Sequence, residues 1–117
     1  MEIRFHDPDE TPLPPQETRI SALQVEPWPD GHRIAVDVQI TPFQQRPNLH
    51  VLIYDEQGEE VASVAAMQIL QRRLGFTLYL RSADTRGRYT VEAHLGYPDP
   101  DLNLGVVDSV KRSFVIP

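Results

Sequence analysis

A chain of 117 residues with a net charge of −6 and no cysteine is one domain's worth of sequence, and disulfides, thiol catalysis, Cys-ligated zinc and iron–sulfur clusters are excluded outright. Its hydrophobic content of 40% and charged content of 24% are ordinary for a globular fold. No apolar run approaches the ~18 residues of a membrane-spanning helix, and an acidic chain repels phosphate backbones, so neither a membrane nor a nucleic acid is an expected partner.

Residues 1–18 read as a flexible, solvated leader. Pro8, Pro12, Pro14 and Pro15 are interspersed with Asp7, Asp9, Glu10 and Glu17, a composition that cannot pack a core of its own. Ile3 and Phe5 alternate with Glu2 and Arg4, which allows a short edge strand. The N-terminus has no apolar signal segment; with Met1 native, a cytoplasmic location is expected. The folded domain is expected over residues 19–117.

Strand signals then follow at regular intervals. Leu23 and Val25 alternate with Gln24 and Glu26 before Pro27-Trp28-Pro29-Asp30-Gly31 breaks the chain. The expected place for Trp28, a residue usually largely buried, is a lid over the end of the fold. Over 33–41, Ile34, Val36, Val38 and Ile40 share one face and Arg33, Ala35, Asp37, Gln39 and Thr41 the other, a period of two that no helix produces.

A hairpin is predicted over 47–68. Leu49–Tyr54 carries β-formers on both faces, Gly58 supplies the turn, and 61–67 returns. The charges of Asp55, Glu56, Glu59 and Glu60 read as solubilising. Residues 61–73 also fit a short helix through Val64, Met67, Leu70 and Leu74; strand followed by loop is the preferred reading. Further strands are expected over 74–81 and 88–96. Over 105–116 the pattern loses phase, because Asp108 and Arg112 share parity with Val106, Val110, Phe114 and Ile116; a β-bulge near Lys111 would restore it. The predicted fold is all-β, an antiparallel two-sheet sandwich of about seven strands.

The stretch Asp84-Thr85-Arg86-Gly87-Arg88-Tyr89 resembles the corner before the sixth strand of immunoglobulin-like domains. Gly87 and Tyr89 match that corner, and Asp84 stands one residue further off than the usual spacing. The core cysteines and the third-strand Trp of those domains are absent, with Val51 and Ile53 in that strand, so the nearest strand plan is that of fibronectin type III domains. The resemblance spans about residues 19–117. It implies one sheet of strands 19–26, 33–41 and 74–81 and another of 105–116, 88–96, 49–54 and 61–67, with a Tyr89 hydroxyl bonded back to the chain upstream.

Several constellations are candidates for function. Asp99, Asp101 and Asn103 alternate as hard-cation ligands do, but the glycine and the distal Glu of a calcium loop are missing. His50 and His94, expected on neighbouring strands with Glu92 nearby, form a possible two-imidazole site that lacks further ligands. No nucleophile elbow, P-loop or dinucleotide fingerprint occurs, and no cofactor is implied. The favoured reading is a non-catalytic binding or structural module with a protein partner or a second copy of itself. Its contact residues would be His50, Leu52 and Tyr54 on an outer sheet face beside Ala62 and Val64, together with Phe43, Arg46, Arg73 and Tyr97 at the loop end. The alternative is a ligand- or calcium-binding domain that uses the 96–104 loop, accessory to an enzyme.

Overall fold

The computed structural model describes residues 11–98 and 105–117. Seven strands follow in chain order: β1 (Ile20–Pro27), β2 (Arg33–Ile40), β3 (Asn48–Tyr54), β4 (Glu60–Ala66), β5 (Arg73–Tyr79), β6 (Gly87–Tyr97) and β7 (Gly105–Ile116). They make two antiparallel sheets, ordered β1-β2-β5 and β4-β3-β6-β7. This is the strand grouping predicted from the sequence, and it is consistent with the immunoglobulin-like and fibronectin type III-like plan at the level of fold.

The core forms where the two inner faces meet. Ile34, Val36, Val38 and Ile40 of β2 oppose Leu49, Val51 and Ile53 of β3 and Val91, Ala93 and Leu95 of β6, all of them buried in one cluster. Their spacing of two is the cause, since a pleated strand sends alternate side chains to one face. Burying each large aliphatic side chain contributes about 1.5–3 kcal/mol before entropy is counted. The Tyr89 hydroxyl donates to the Thr85 carbonyl at 2.7 Å, and its ring stacks on Phe114 with centroids 5.3 Å apart. The predicted corner is therefore present, but Asp84 serves a different purpose. It accepts from the Arg86 backbone and guanidinium instead of joining the Tyr89 bond.

Three expectations need correction. First, the latter part of the leader is packed, not solvated. Leu13 bridges Phe43 in parallel, Pro15 opens a 3-10 turn (Pro15–Glu17) with its ring buried, and Thr18 is fully buried with its hydroxyl donating to the Pro14 carbonyl at 3.0 Å. The prolines there preset turn and extended geometry. Residues 1–10, including the proposed Ile3–Phe5 edge strand, lie outside the described residues.

Second, β7 has no bulge at Lys111. Its register with β6 runs unbroken from Gly87 opposite Ile116 to Leu95 opposite Asp108, and slips only between Leu95 and Gly96, where Val107 is the extra residue. Asp108 occupies an inward position because its carboxylate accepts the Ile20 N–H at 2.9 Å. That amide lies where β1 itself slips against β2, between Ile20 and Ala22. Arg112, of the same parity, remains exposed because β7 is a sheet edge.

Third, Trp28 is no lid. It stands 39% exposed on the hairpin joining β1 to β2, with the Arg33 guanidinium 4.0 Å from its ring centroid. Between β4 and β5 the chain is strand then loop, as preferred. Gln68 adopts φ +48 with its N–H on the Asn48 side chain, which drops Ile69 into the core while Met67 and Leu70 stay exposed.

Candidate interaction surfaces

The face of β3 is settled by its core residues. Leu49, Val51 and Ile53 point inward, so His50, Leu52 and Tyr54 belong to the outer face of the four-stranded sheet. The expectation that Ala62 and Val64 lie beside them is overturned. Register pairs Val51 with Val64 and Ile53 with Ala62, and residues directly opposite share a face. Ala62 and Val64 therefore pack against the core. The outer neighbours of His50 and Leu52 on β4 are Ala65 and Ser63, and on β6 they are His94 and Glu92. Leu52 is only 7% exposed and Tyr54 is half-buried, so this face offers polar groups around a covered leucine.

His50 and His94 are direct cross-strand partners, as the sequence placed them. The His94 ring is already engaged: Nδ1 lies 2.7 Å from the Ser109 hydroxyl and Nε2 lies 3.3 Å from the Glu92 carboxylate. Among the described residues no three His, Cys, Asp or Glu side chains converge as metal ligands. The Asp99, Asp101 and Asn103 set lies outside the described residues.

At the loop end the predicted contact residues have separate duties. The Tyr97 side chain is buried, and its hydroxyl lies 3.1 Å from both Thr18 Oγ1 and the Gln45 carbonyl, one proton serving two acceptors. Tyr97 thus ties the 41–47 loop to the packed segment before β1, and burial pushes its phenol pKa up. Phe43 is half-buried against the core, and Arg46 is exposed. Arg73 sits opposite Gln39, on the other sheet. Beside Tyr97 a depression of about 490 Å³ opens over Gly96, flanked by His50, His94, Met67 and Val106. A Cβ at Gly96 would lie 2.6 Å from the Gly105 carbonyl oxygen, so the bulged start of β7 requires glycine there.

At the opposite end, charges serve turns. The Asp55 carboxylate accepts the N–H groups of Gln57 and Glu59, and Gly58 completes the turn at φ +80. Glu56 accepts the Arg88 N–H at 2.9 Å, anchoring the start of β6. These two carboxylates are structural acceptors and not merely solubilising charges. Asp30 is held down to about 2 by the His32 N–H and then by the Arg33 guanidinium. Asp84 is held equally low, first by the Arg86 side chain. Burial raises the Tyr89 phenol, with the nearby acidic residues adding to the shift.

A further surface is the sheet edge where the strand plan read from the sequence placed 61–67, outside 49–54. β4 ends the four-stranded sheet and β5 ends the three-stranded one. Most of their inward residues, Ala62, Val64 and Ala66 on β4 and Leu74 and Phe76 on β5, are only partly buried, while Leu78 on β5 is buried in the core. On the other long side, β1 packs closely along β7, whereas β4 and β5 meet sparsely. A groove of about 470 Å³ runs along the open side between Val61–Val64 and Thr77–Tyr79.

Comparison with known proteins returns a likeness of fold. No protein-family model matches the chain, and no curated protein matches it by sequence. Solved structures do match. They include Bifidobacterium dentium β-glucuronidase in complex with coumarin-3-O-glucuronide (19% identity, TM-score 0.64, 85% of this chain and 18% of that one). Another is a glycosyl hydrolase family 2 member from Bacteroides cellulosilyticus (20% identity, TM-score 0.58, 85% and 14%). A third is Parabacteroides merdae β-glucuronidase (16% identity, TM-score 0.59, 85% and 13%). The chain spans less than a fifth of each, and what it shares with them is the two-sheet β-sandwich.

Proposed function

We propose that this chain is a non-catalytic β-sandwich module that acts by contact with protein, as an accessory part of a larger glycoside-processing assembly. The observation that supports the reading is that the sandwich resembles a small share of several much longer glycosidase chains, 13–18% of their length in the three named. The chemistry of the described residues points the same way. Glycoside hydrolysis needs two carboxyl groups flanking the bond, one with its pKa raised by its surroundings. Here the displaced carboxylates, Asp30 and Asp84, are lowered instead, by turn amides and arginines on an exposed surface.

The test is an assay of the isolated chain with aryl β-glucuronides and aryl β-galactosides. The expected result is no release of the aryl alcohol above buffer. Turnover that persists after repurification would overturn the reading.

A further inference from the structure

We propose that β4 is a self-pairing edge: two copies of the chain join antiparallel along it, about a two-fold axis at Val64, to give one continuous eight-stranded sheet. An edge strand directs alternate N–H and C=O groups into solvent, and proteins usually blunt such edges with charge, proline, a bulge or a covering element. The other described edges are blunted. β1 carries Glu26 and Pro27 and is covered along β7 through Asp108 and Ile20. β7 carries Lys111 and Arg112. β5 begins at Arg73 and contains Gly75. β4 differs in that its one charge, Glu60, stands at its first residue and the six residues after it, 61–66, read Val-Ala-Ser-Val-Ala-Ala, with no charge, proline or glycine. Its one irregularity is a register slip at Val61, at the far end from Ala66.

The sequence of β4 also fits a second copy of itself. With Val64 opposite Val64, Ser63 faces Ala65 and Ala62 faces Ala66, so every opposed pair is small or apolar and matched in size. The partly buried inward side chains Ala62, Val64 and Ala66 would cover one another across the axis. Charge favours the antiparallel arrangement. It brings the acidic turn of one copy, with Glu59 and Glu60, toward the end of the other that carries Arg72 and Arg73. The exposed Met67 of each copy would lie against Val61 of the other. The inference extends the contact reading by naming the partner, and it stands or falls separately: glycosidase turnover would overturn the non-catalytic reading and leave the edge pairing untouched.

The test is sedimentation velocity of the chain from micromolar to millimolar concentration, alongside the double variant S63K/A65K. Both positions are exposed on the outer face, and the substitutions set like charges directly opposite each other across the axis. The expected result is a reversible dimer for the parent chain and a folded monomer for the variant. A parent chain that stays monomeric throughout overturns the proposal, as does a dimer that survives in the folded variant. Should the variant fail to fold, a mixed sample of labelled and unlabelled parent chain decides by isotope-filtered NMR. Contacts between Val64 methyls of different copies support the proposal, and their absence in a dimer overturns it.

Discussion

The carboxylate of Asp108 on β7 accepts the backbone N–H of Ile20 on β1 at 2.9 Å. This bond ties the two sheets together along one long side of the sandwich, at a point where both strands have slipped a residue against their neighbours. The opposite long side, where β4 and β5 meet, has partly buried apolar side chains and two edges that are unpaired among the described residues. The contrast between a tied side and an open one organises the functional reading.

The tie can be measured. Asp108→Ala strands the Ile20 amide without its acceptor and is expected to cost roughly 1–3 kcal/mol, the penalty for an unsatisfied donor. Asp108→Asn keeps an acceptor oxygen and is expected to retain most of that stability. Urea unfolding of the three proteins checks this, and equal losses in both variants would contradict the acceptor role.

The two buried tyrosines act through their hydroxyls. Tyr89→Phe removes the bond to the Thr85 carbonyl while leaving the stack on Phe114, so a loss of about 1 kcal/mol is expected. Tyr97→Phe is expected to cost a similar amount and, in addition, to speed amide exchange in the segment around Thr18 that its hydroxyl holds. Equal exchange there in both proteins would show that the segment is held by other contacts.

The pH dependence follows from the displaced groups. Asp30 and Asp84 titrate at about 2 in the folded chain, against an ordinary 3.8. Between those values the unfolded state binds more protons, so their contribution is present above 3.8 and is lost as pH falls toward 2. The alkaline limb runs the other way. Tyr89 and Tyr97 are raised above the ordinary 10.0, so the unfolded state gives up its protons first and stability declines above that pH. Carboxyl carbon NMR checks the acidic limb. Arg33→Ala should move Asp30 only part of the way back, because the His32 N–H, the larger cause, remains.

Gln68 holds a left-handed backbone at φ +48, which costs a residue with a Cβ about 1–2 kcal/mol. Gln68→Gly relieves that strain and gives back part of the gain to chain entropy in the unfolded state. A net rise in stability of several tenths of a kcal/mol, up to about 1, is expected from urea unfolding. A destabilised variant would show that the Gln68 side chain contributes packing that outweighs its backbone.

Much of the fold was legible because period two is a direct image of a pleated strand. Ile34 to Ile40 gave β2, Tyr89 to Leu95 gave β6, and the Gly87–Tyr89 spacing gave the corner. Much of what escaped depended on groups distant in sequence. Asp108 breaks the pattern of β7 because its partner is 88 residues away at Ile20. The segment from Leu13 to Thr18 looks solvated until Phe43 and Tyr97 are seen to hold it. Trp28 finds its cover in Arg33 instead of in the core. On the candidate surface, the parity of β3 was readable, but the register of β4 against it was not, and a slip of one residue sent Ala62 and Val64 to the other face. The uncharged run in β4 was visible throughout, and the strand plan read from the sequence already put it at the edge where the structure finds it.

Residue-resolved amide hydrogen exchange at low and high protein concentration tests the open edge most directly. The outward amides of 61–66 are expected to slow as concentration rises, while those along β5 and β7 keep their rates. Outward β4 amides that exchange at the same rate at both concentrations would contradict self-pairing along β4.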